Sequence, residues 1–405
     1  MLIAVSWRNI WRSRTRSLVV IIAITLGIMA GVFSTAFMKG MMVQRLETAI
    51  RTEISNIQIH DSLFRKTSET KYFIPQALLL TRQTDTLTHV TGVTPRIVVQ
   101  SMISSAETGT GVTIMGVIPD REKKVTDISE KLIEGKYFEG VRRKPIVISR
   151  KLADKLNIHL RSRVVITLQD LDRNLVTDAF RVAGIYKTTN TSYDETHVFV
   201  RYEDLRSMTA LPPGAAHEIA VRTDNDRNTP AVQEEIREMA PQLEVLNWQE
   251  LSPELTYITA AMDQYMYLFI AIILMALLFG IINTMLMVIL ERQKEIGMLL
   301  AIGMSRARIF FMIIIETVLL SLTGGLTGIL LGTLVSKYFE VHYIDLSMFG
   351  KGLEQWGYNT MVHTLVDSGM VVTVTFMVIV TGILAAVYPA WKAIRYDPAE
   401  ALRME

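Results

Sequence analysis

Four long apolar stretches constrain this 405-residue chain more than any other feature of its sequence. A bilayer core of about 30 Å requires roughly 20 consecutive apolar residues in a helix, and each stretch reaches that length. Charged segments separate the stretches, which distinguishes them from the buried helices of a soluble protein. The stretches cover residues 18–38, 266–290, 309–336 and 370–390. The sequence therefore predicts an α-helical membrane protein with four transmembrane helices.

The distribution of basic residues predicts how these spans are oriented. Arginine and lysine are concentrated in residues 1–17, 291–308 and 391–405, and short loops rich in positive charge remain in the cytoplasm. Both termini are therefore predicted to be cytoplasmic, whereas residues 39–265 and 337–369 are predicted to be exported. No small-residue cleavage site follows the first span, so we expect an uncleaved anchor.

Residues 1–17 are predicted to form a cytoplasmic amphipathic helix before the first span. Trp7 and Trp11 recur at helical spacing, whereas Arg8 and Arg12 occupy another face. A helix of this kind lies in the headgroup region, with tryptophan at the interface and arginine near anionic lipid. The alternative is that this segment simply extends the first span.

Small and polar residues within the spans predict where the helices approach one another. Glycines four residues apart share one helix face and allow two backbones to come close. Glu316 lies inside the third span, where a carboxylate needs a partner, and Asn283 lies at a similar depth in the second span. We expect a hydrogen bond between them, and a proton or substrate site is the alternative. The predicted packing residues are Gly27, Gly31, Glu316, Asn283, Gly324, Gly328 and Gly332.

The long exported segment is predicted to form a mixed α and β domain. Short runs of alternating apolar residues indicate strands, and helical patterns lie between several of them. We expect an outer frame of split βαβ type at about residues 41–95 and 214–264. Residues 96–213 are predicted to be a β-rich subdomain inserted into that frame.

No catalytic, cofactor or metal constellation is recognisable in the sequence. The seven histidines are scattered, and neither HExxH nor GxSxG occurs. The absence of cysteine excludes disulfides and thiolate metal sites within this chain. A net charge of +2 gives no indication of a nucleic-acid partner. A membrane-anchored enzyme is therefore the function class that the residues support least.

Two predicted cytoplasmic segments resemble the MacB/FtsX-like ABC transporter permease family. Residues 291–305 read ERQKEIGMLLAIGMS and are similar to a family connector in which E-I-G and A-I-G flank a short helix. Residues 388–393 and 397–403 resemble the terminal pattern P-A-x-x-A followed by P-x-E-A-L-R. The matching terminal residues are Pro389, Ala390, Ala393, Pro398, Glu400, Ala401, Leu402 and Arg403. With the order of the spans, the resemblance covers essentially the whole chain, and it implies a MacB-like periplasmic core domain between helices 1 and 2.

The resemblance implies that residues 291–308 form a coupling helix that docks on a soluble ATPase. Gly297 and Gly303 can bend the chain, and a small apolar face surrounded by charges suits a groove on a partner protein. The implied docking residues are Glu291, Lys294, Glu295, Ile296, Gly297, Leu299, Leu300, Ala301, Ile302, Gly303 and Ser305.

The resemblance also implies the other subunits of the transporter and its mechanism. Two separate ATPase subunits bind ATP and magnesium, in agreement with the absence of G-x-x-x-x-G-K-[ST] from this sequence. A second permease subunit, identical or homologous, completes the transporter in the bacterial inner membrane. Nucleotide-driven motion passes through the helices to the exported domains, a mechanism called mechanotransmission.

Four weaker motifs in the exported part resemble the lipoprotein-releasing LolC/LolE branch. They lie at residues 93–96, 111–119, 145–156 and 180–186. This likeness implies lipoprotein cargo and a periplasmic or outer-membrane partner. One departure is the short polar turn between Ile166 and Phe180, where the branch member that captures the periplasmic lipoprotein carrier has a longer projecting hairpin.

Two alternative functions remain within the family. One is MacB-like export of peptides or drugs from the periplasm. The other is an FtsX-like scaffold that activates cell-wall hydrolases, although that branch usually has a smaller exported domain than residues 39–265 provide.

Overall fold

The computed structural model describes residues 2–12, 14–141 and 143–395. The chain divides into two compact units. The helical unit consists of residues 1–42, 259–345 and 361–405, and the sheet unit of residues 43–258 and 346–360.

Helices account for most of the helical unit and cover parts of the sheet unit. The described α-helices are α1 (Leu2–Arg12), α2 (Arg14–Thr48), α3 (Phe64–Thr67), α4 (Ala77–Thr84), α5 (Pro119–Val125), α6 (Arg150–Lys155), α7 (Thr191–Thr196), α8 (Tyr202–Thr209), α9 (Thr229–Met239), α10 (Trp248–Leu251), α11 (Pro253–Glu291), α12 (Gln293–Ala301), α13 (Arg306–Val341), α14 (Gly350–Gln355) and α15 (Ser368–Ala393). A π-helical turn follows α2 at Ala49–Ile54, and 3-10 turns lie at Asp226–Asn228 and Ser347–Phe349.

The strands form one large mixed sheet and one small ladder. They are β1 (Ile57–His60), β2 (Val90–Ser104), β3 (Gly109–Val117), β4 (Leu132–Gly135), β5 (Pro145–Ser149), β6 (Arg163–Gln169), β7 (Leu175–Tyr186), β8 (His197–Arg201), β9 (Glu218–Thr223), β10 (Glu244–Asn247), β11 (Ile344–Asp345) and β12 (Met361–Val362). The large sheet has the order β10-β1-β9-β2-β3-β8-β5-β7-β4, and β6 pairs with both β2 and β7. The ladder joins β11 to β12.

Four helices, α2, α11, α13 and α15, are long and apolar enough to cross a membrane. The predicted fold class, four transmembrane helices with an α+β domain between the first and second, is confirmed. Both α2 and α11 continue beyond the apolar stretches into polar sequence. Extending an existing helix adds one hydrogen bond per residue, so a helix does not have to end where its apolar stretch ends.

The outer part of the sheet unit is a split βαβ frame. Its strands have the order β10-β1-β9-β2, with antiparallel neighbours. Helix α4 connects β1 to β2, and α9 connects β9 to β10. Apolar side chains from these strands and helices form one core, which includes Ile57, Ile59, Val93, Ile219, Val232, Ile236 and Val245.

Strand β2 belongs to both the frame and the inserted subdomain. Its first half pairs with β9, and its second half pairs with β3 and β6. Val93 belongs to the frame core, whereas Ile97 belongs to the larger core of the insertion. The division expected near residue 95 therefore lies inside a continuous strand, with no linker, because β2 is long enough to pair with both halves.

An ion network lies buried at this division. The guanidinium of Arg96 donates to the Glu122 carboxylate at 3.1 and 2.7 Å and to Glu218 Oε1 at 2.6 Å. Arg96 and Glu122 are fully buried, and Glu218 is nearly so. Burial alone lowers the pKa of Arg96, but the charges of Glu122 and Glu218 outweigh it and raise that pKa above its ordinary value. Arg96 therefore stays ionised, and its hydrogen bonds to the two carboxylates hold β2, α5 and β9 together.

The predicted exported loop at 337–369 is more ordered than the sequence suggested. Helix α13 continues to Val341, and residues 346–360 fold with the sheet unit. There, Arg45 Nε donates to the Trp356 carbonyl at 3.0 Å, and Lys187 pairs with Glu354 at 2.9 Å. Gly357 has a φ of +75°, and a Cβ atom there would lie 2.6 Å from Arg45 Nε.

Candidate functional site

Helix α12 forms a short bridge between the ends of α11 and α13. It begins after Arg292 and ends where Gly303 adopts a φ of +95°, a left-handed conformation that favours glycine. The amides of Gly303 and Met304 donate to the Leu300 and Leu299 carbonyls at 3.1 and 3.0 Å. These bonds provide donors for carbonyl groups in the last turn of the helix and redirect the chain into α13.

One face of α12 packs against the membrane helices. Ile296 and Gly297 are buried, and Ile296 belongs to the core that the spans form. Leu299 and Leu300 are partly buried against the same core. The prediction that Ile296 and Gly297 contact the ATPase directly is therefore corrected. Both residues lie on the inner face of α12, where other parts of this chain cover them.

The opposite face of α12 is exposed. Ile302 is 78% exposed, and Met298, Lys294, Ala301 and Gly303 are exposed beside it. Met298 was missing from the predicted docking residues. Its spacing of four residues from both Lys294 and Ile302 places it on their helix face, and this periodicity is the signal that identifies it. The exposed face is a small apolar surface with a lysine at one end.

A chain of ion pairs runs from the end of α1 through α12 into α13. Arg12 pairs with Glu295 at 2.8 Å, and Arg292 pairs with the other oxygen of Glu295 at 3.2 Å. Arg292 Nη1 also donates to both oxygens of Glu316, at 3.1 and 3.2 Å. Side-chain exposure falls from 70% at Arg12 to 6% at Glu316. These ion pairs therefore connect an exposed arginine to a carboxylate inside a transmembrane helix.

The partner expected for Glu316 is thereby corrected. Asn283 is exposed on α11 and makes no described contact with Glu316. A guanidinium delivers two donors and a full charge to a buried carboxylate, and a neutral amide supplies neither the charge nor that geometry. Arg292 can reach Glu316 because the turn before α12 places it beside α13.

Two family comparisons cover most of the chain. Residues 17–239 match the MacB-like periplasmic core domain, and residues 267–398 match the FtsX-like permease C-terminal region. The chain belongs to the MacB/FtsX-like permease family. The resemblance identified from residues 291–305 and 388–403 is confirmed.

Individual relatives support the same assignment. The permease is 24% identical over 329 residues to the lipoprotein-releasing system transmembrane protein LolC of Xylella fastidiosa, covering 78% of each chain. It is 22% identical to LolC of Neisseria meningitidis over 391 residues, which cover 91% of this chain and 88% of that one. It is 35% identical to the macrolide export ATP-binding/permease protein MacB of Chlorobium luteolum over 126 residues, 31% of this chain and 16% of that one. The protein is an ABC transporter permease of the LolC/MacB type and a multi-pass membrane protein.

In the permease, α1 packs along α13 as a separate helix. Ser6 Oγ donates to the Met312 carbonyl at 3.2 Å, and Ile10 is buried in the core of the spans. Trp7 and Trp11 remain exposed and contact each other edge to face. The N-terminal segment therefore presents aromatic side chains outward, and its last residue, the exposed Arg12, pairs with Glu295 of α12.

The glycines expected at helix contacts lie where α2 meets its neighbours. Gly27 faces Leu277 and Gly31 faces Ile273 of α11. Gly324, Gly328 and Gly332 of α13 face α2, and a Cβ atom at Gly328 would lie 2.8 Å from the Thr25 carbonyl oxygen. A larger side chain there would have to separate the two backbones.

The C-terminal family signature is only partly described. Pro389, Ala390 and Ala393 are buried on α15, and the two alanines belong to the core of the spans. Pro398, Glu400, Ala401, Leu402 and Arg403 lie outside the described residues.

Proposed function

We propose that this permease couples ATP hydrolysis by two soluble ATPase subunits to movement of its sheet unit, and thereby releases lipoproteins from the bacterial inner membrane. The observation that carries the proposal is α12, whose outer face is exposed while the ion-pair chain ties it to Glu316 within α13. In this proposal ATP and magnesium bind to the ATPase subunits, and this chain itself binds no cofactor.

The docking step rests on the exposed face of α12. Met298 and Ile302 are large apolar side chains at neighbouring positions of one helix face, with Ala301 beside them. A partner groove would remove this surface from water, and burial of a side chain such as isoleucine contributes about 1.5–3 kcal/mol. The docking site therefore consists of Lys294, Met298, Ala301, Ile302 and Gly303.

The transmission step rests on Arg292. Its guanidinium contacts Glu295 on α12 and Glu316 on α13, so a displacement of α12 has to move α13 or break two charged hydrogen bonds. Ile296, buried on the inner face of α12, adds an apolar contact between α12 and the membrane-spanning helices. Arg292 acts in this proposal as a positioning residue.

The orientation and assembly of the transporter complete the proposal. Both termini and α12 lie in the cytoplasm, where the basic residues are concentrated. The sheet unit then lies in the periplasm. A second permease subunit, identical or homologous, pairs with this one, and the motion reaches both sheet units.

Lipoprotein cargo is supported by the names of the LolC relatives, whose alignments span most of the chain. The hairpin of β6 and β7 closes with a short turn in which the Asp170 amide donates to the Asn174 carbonyl at 3.0 Å. This hairpin has no projecting arm, so we assign it no role in capturing a carrier. MacB-like export of peptides or drugs is the second candidate, favoured by the MacB likeness.

The decisive experiment is affinity purification of the tagged permease in mild detergent, followed by mass spectrometry of the bound proteins. Recovery of an ABC-type ATPase together with acylated proteins supports the whole proposal. An ATPase with a cell-wall hydrolase favours the FtsX-like scaffold instead. Absence of any ATPase contradicts the proposed coupling.

Two variants and one control test the docking face directly. Ile302→Asp places a charge in the apolar surface and is expected to abolish ATPase recovery, and Glu295→Lys is expected to reduce it by disrupting the ion-pair chain. Ile133→Asp is the control, because Ile133 is also exposed and apolar but lies on β4 of the sheet unit. Equal ATPase recovery with Ile302→Asp and Ile133→Asp would remove α12 from the docking site.

A further inference from the structure

An exposed apolar patch lies on the segment between α13 and α15. Met348 is 91% exposed and Trp356 is 73% exposed, and Phe349 is exposed between them in sequence. We call these three residues the 348–356 patch. Soluble surfaces rarely carry several large, exposed apolar side chains within one short segment unless they contact a partner or a membrane.

The segment that carries the patch is held firmly on its other side. Glu354 pairs with Lys187, and the Trp356 carbonyl accepts from Arg45 Nε. Gly357 follows with its φ of +75° directly against the Arg45 guanidinium. The exposure of the patch is therefore a property of a folded segment with one packed side.

The two ends of the segment are tied close to the end of the third span. Thr364 Oγ1 donates to the carbonyl of Ser336, the last residue of the predicted span, and the Thr364 amide donates to the Phe339 carbonyl. Met361 precedes Thr364 by three residues, a reach of at most about 10 Å. Met361 in turn pairs with Asp345, so both ends of the segment leave from the same rung of the β11–β12 ladder.

We propose that the 348–356 patch inserts into the headgroup region of the bilayer leaflet at the outer end of α13. Tryptophan is favoured in that region because its ring is apolar and its N–H remains hydrated. Met348 and Phe349 would reach the upper part of the acyl chains. Lys351, exposed beside them, can pair with a lipid phosphate. The segment itself then contacts the membrane surface, in addition to the transmembrane helices.

The occupant of the patch is lipid in this proposal because the segment is continuous with two membrane spans. A second permease copy or an acylated cargo protein would cover the same side chains in other ways. The inference needs only the four spans, and it stands whether or not lipoproteins are the cargo.

The chain has no cysteine, so a single thiol can report on the patch. Met348→Cys, in the full-length permease with its ATPase in nanodiscs and without cargo, is labelled with a nitroxide. Power-saturation EPR then measures collisions with oxygen, which concentrates in lipid, and with a nickel chelate, which stays in water. Leu175→Cys is the aqueous control and Leu330→Cys the bilayer control, because both are exposed apolar positions, one on β7 and one on α13.

The proposal expects the ratio of oxygen to nickel collisions at Met348→Cys to exceed that at Leu175→Cys and to approach that at Leu330→Cys. A ratio equal to the aqueous control overturns it, because the patch would then face water. Low collision rates with both reagents overturn it in favour of a protein partner. Trp356→Cys is a second labelling position in case Met348→Cys disturbs the fold, and it must give the same ordering.

Discussion

The two ion networks of this permease use the same residue types in opposite ways. In the sheet unit, Arg96 is enclosed with Glu122 and Glu218, and all three side chains are withdrawn from water. In the helical unit, the chain from Arg12 to Glu316 begins at the surface and becomes progressively buried. The first network is closed, whereas the second is open at one end.

This difference agrees with a structural role for the first network and with the transmitting role that we propose for the second. An enclosed ion pair cannot exchange partners without exposing an uncompensated charge, so it fixes the relative positions of its elements. A chain that is exposed at one end can respond to a partner protein, because rearranging its outer members costs little. If α12 drives the sheet unit as a whole, the sheet unit must be rigid, whereas the ion pairs near α12 must be able to rearrange when a partner binds.

The largest effect is expected from Arg96→Met. It leaves two carboxylates buried without a cation and should lower the free energy of unfolding of the sheet unit by about 3–5 kcal/mol. Hydrogen exchange of the β2 and β9 peptides in the full-length permease measures this loss. Arg173→Met, at an exposed position in the β6–β7 turn, is the matched control. Similar exchange in both variants would show that the enclosed network does not stabilise the sheet unit.

Acidification should also weaken the sheet unit. Burial lowers the pKa of His217 to about 4, and its Nδ1 accepts from the Val98 amide at 3.1 Å, a bond that a protonated ring cannot make. An unfolded histidine has a pKa near 6.5, so the unfolded chain takes up the proton first. Stability is therefore full above about pH 6.5 and falls as the pH approaches 4, by up to about 3 kcal/mol.

The measurement is thermal unfolding of the permease in nanodiscs between pH 7.5 and pH 4.5, values chosen to bracket about 6.5. His217→Asn retains an acceptor near the position of Nδ1 but does not titrate, so its loss on acidification should be smaller. His197, whose pKa is lowered to about 4 by desolvation, and buried His60, whose pKa burial also lowers, contribute to the part that remains. An unchanged profile in His217→Asn contradicts the assignment.

A smaller effect on stability, but a clear one on coupling, is expected from Arg292→Gln. The neutral side chain leaves Glu316 without its charged partner and costs about 1–3 kcal/mol. ATPase turnover should continue while cargo release per ATP falls in the reconstituted complex. The double variant Arg292→Glu with Glu316→Arg should restore part of the coupling. If Arg292→Gln released as much cargo per ATP as the unmodified permease, Arg292 would have no transmitting role.

The smallest effect is expected at the exposed end of the chain. Arg12→Ala removes a surface pair with Glu295 and should change stability by at most about 1 kcal/mol. High salt should reduce the difference between this variant and the unmodified chain, because it screens exposed pairs. Arg8→Ala, also exposed on α1, is the control. If Arg12→Ala lowered stability as much as Arg292→Gln does, exposed and buried members of the ion-pair chain would contribute equally, which would contradict this prediction.

The sequence by itself determined the membrane spans, the α+β domain between the first two spans, and the family. Length and hydropathy decide whether a helix can cross a bilayer, and these are local properties of residues 18–38, 266–290, 309–336 and 370–390. The motif at 291–305 was likewise sufficient to locate α12, because its glycines and its short apolar pattern lie within one continuous segment.

Tertiary structure alone decided which side chains meet. The partner of Glu316 is Arg292, 24 residues away in sequence, and the pairing depends on how α12 folds back toward α13. Burial of Ile296, exposure of Ile302 and the enclosure of Arg96 by Glu122 and Glu218 depend in the same way on neighbouring elements. Periodicity assigns a residue to a face of its own helix or strand, but only the packed structure determines what covers that face.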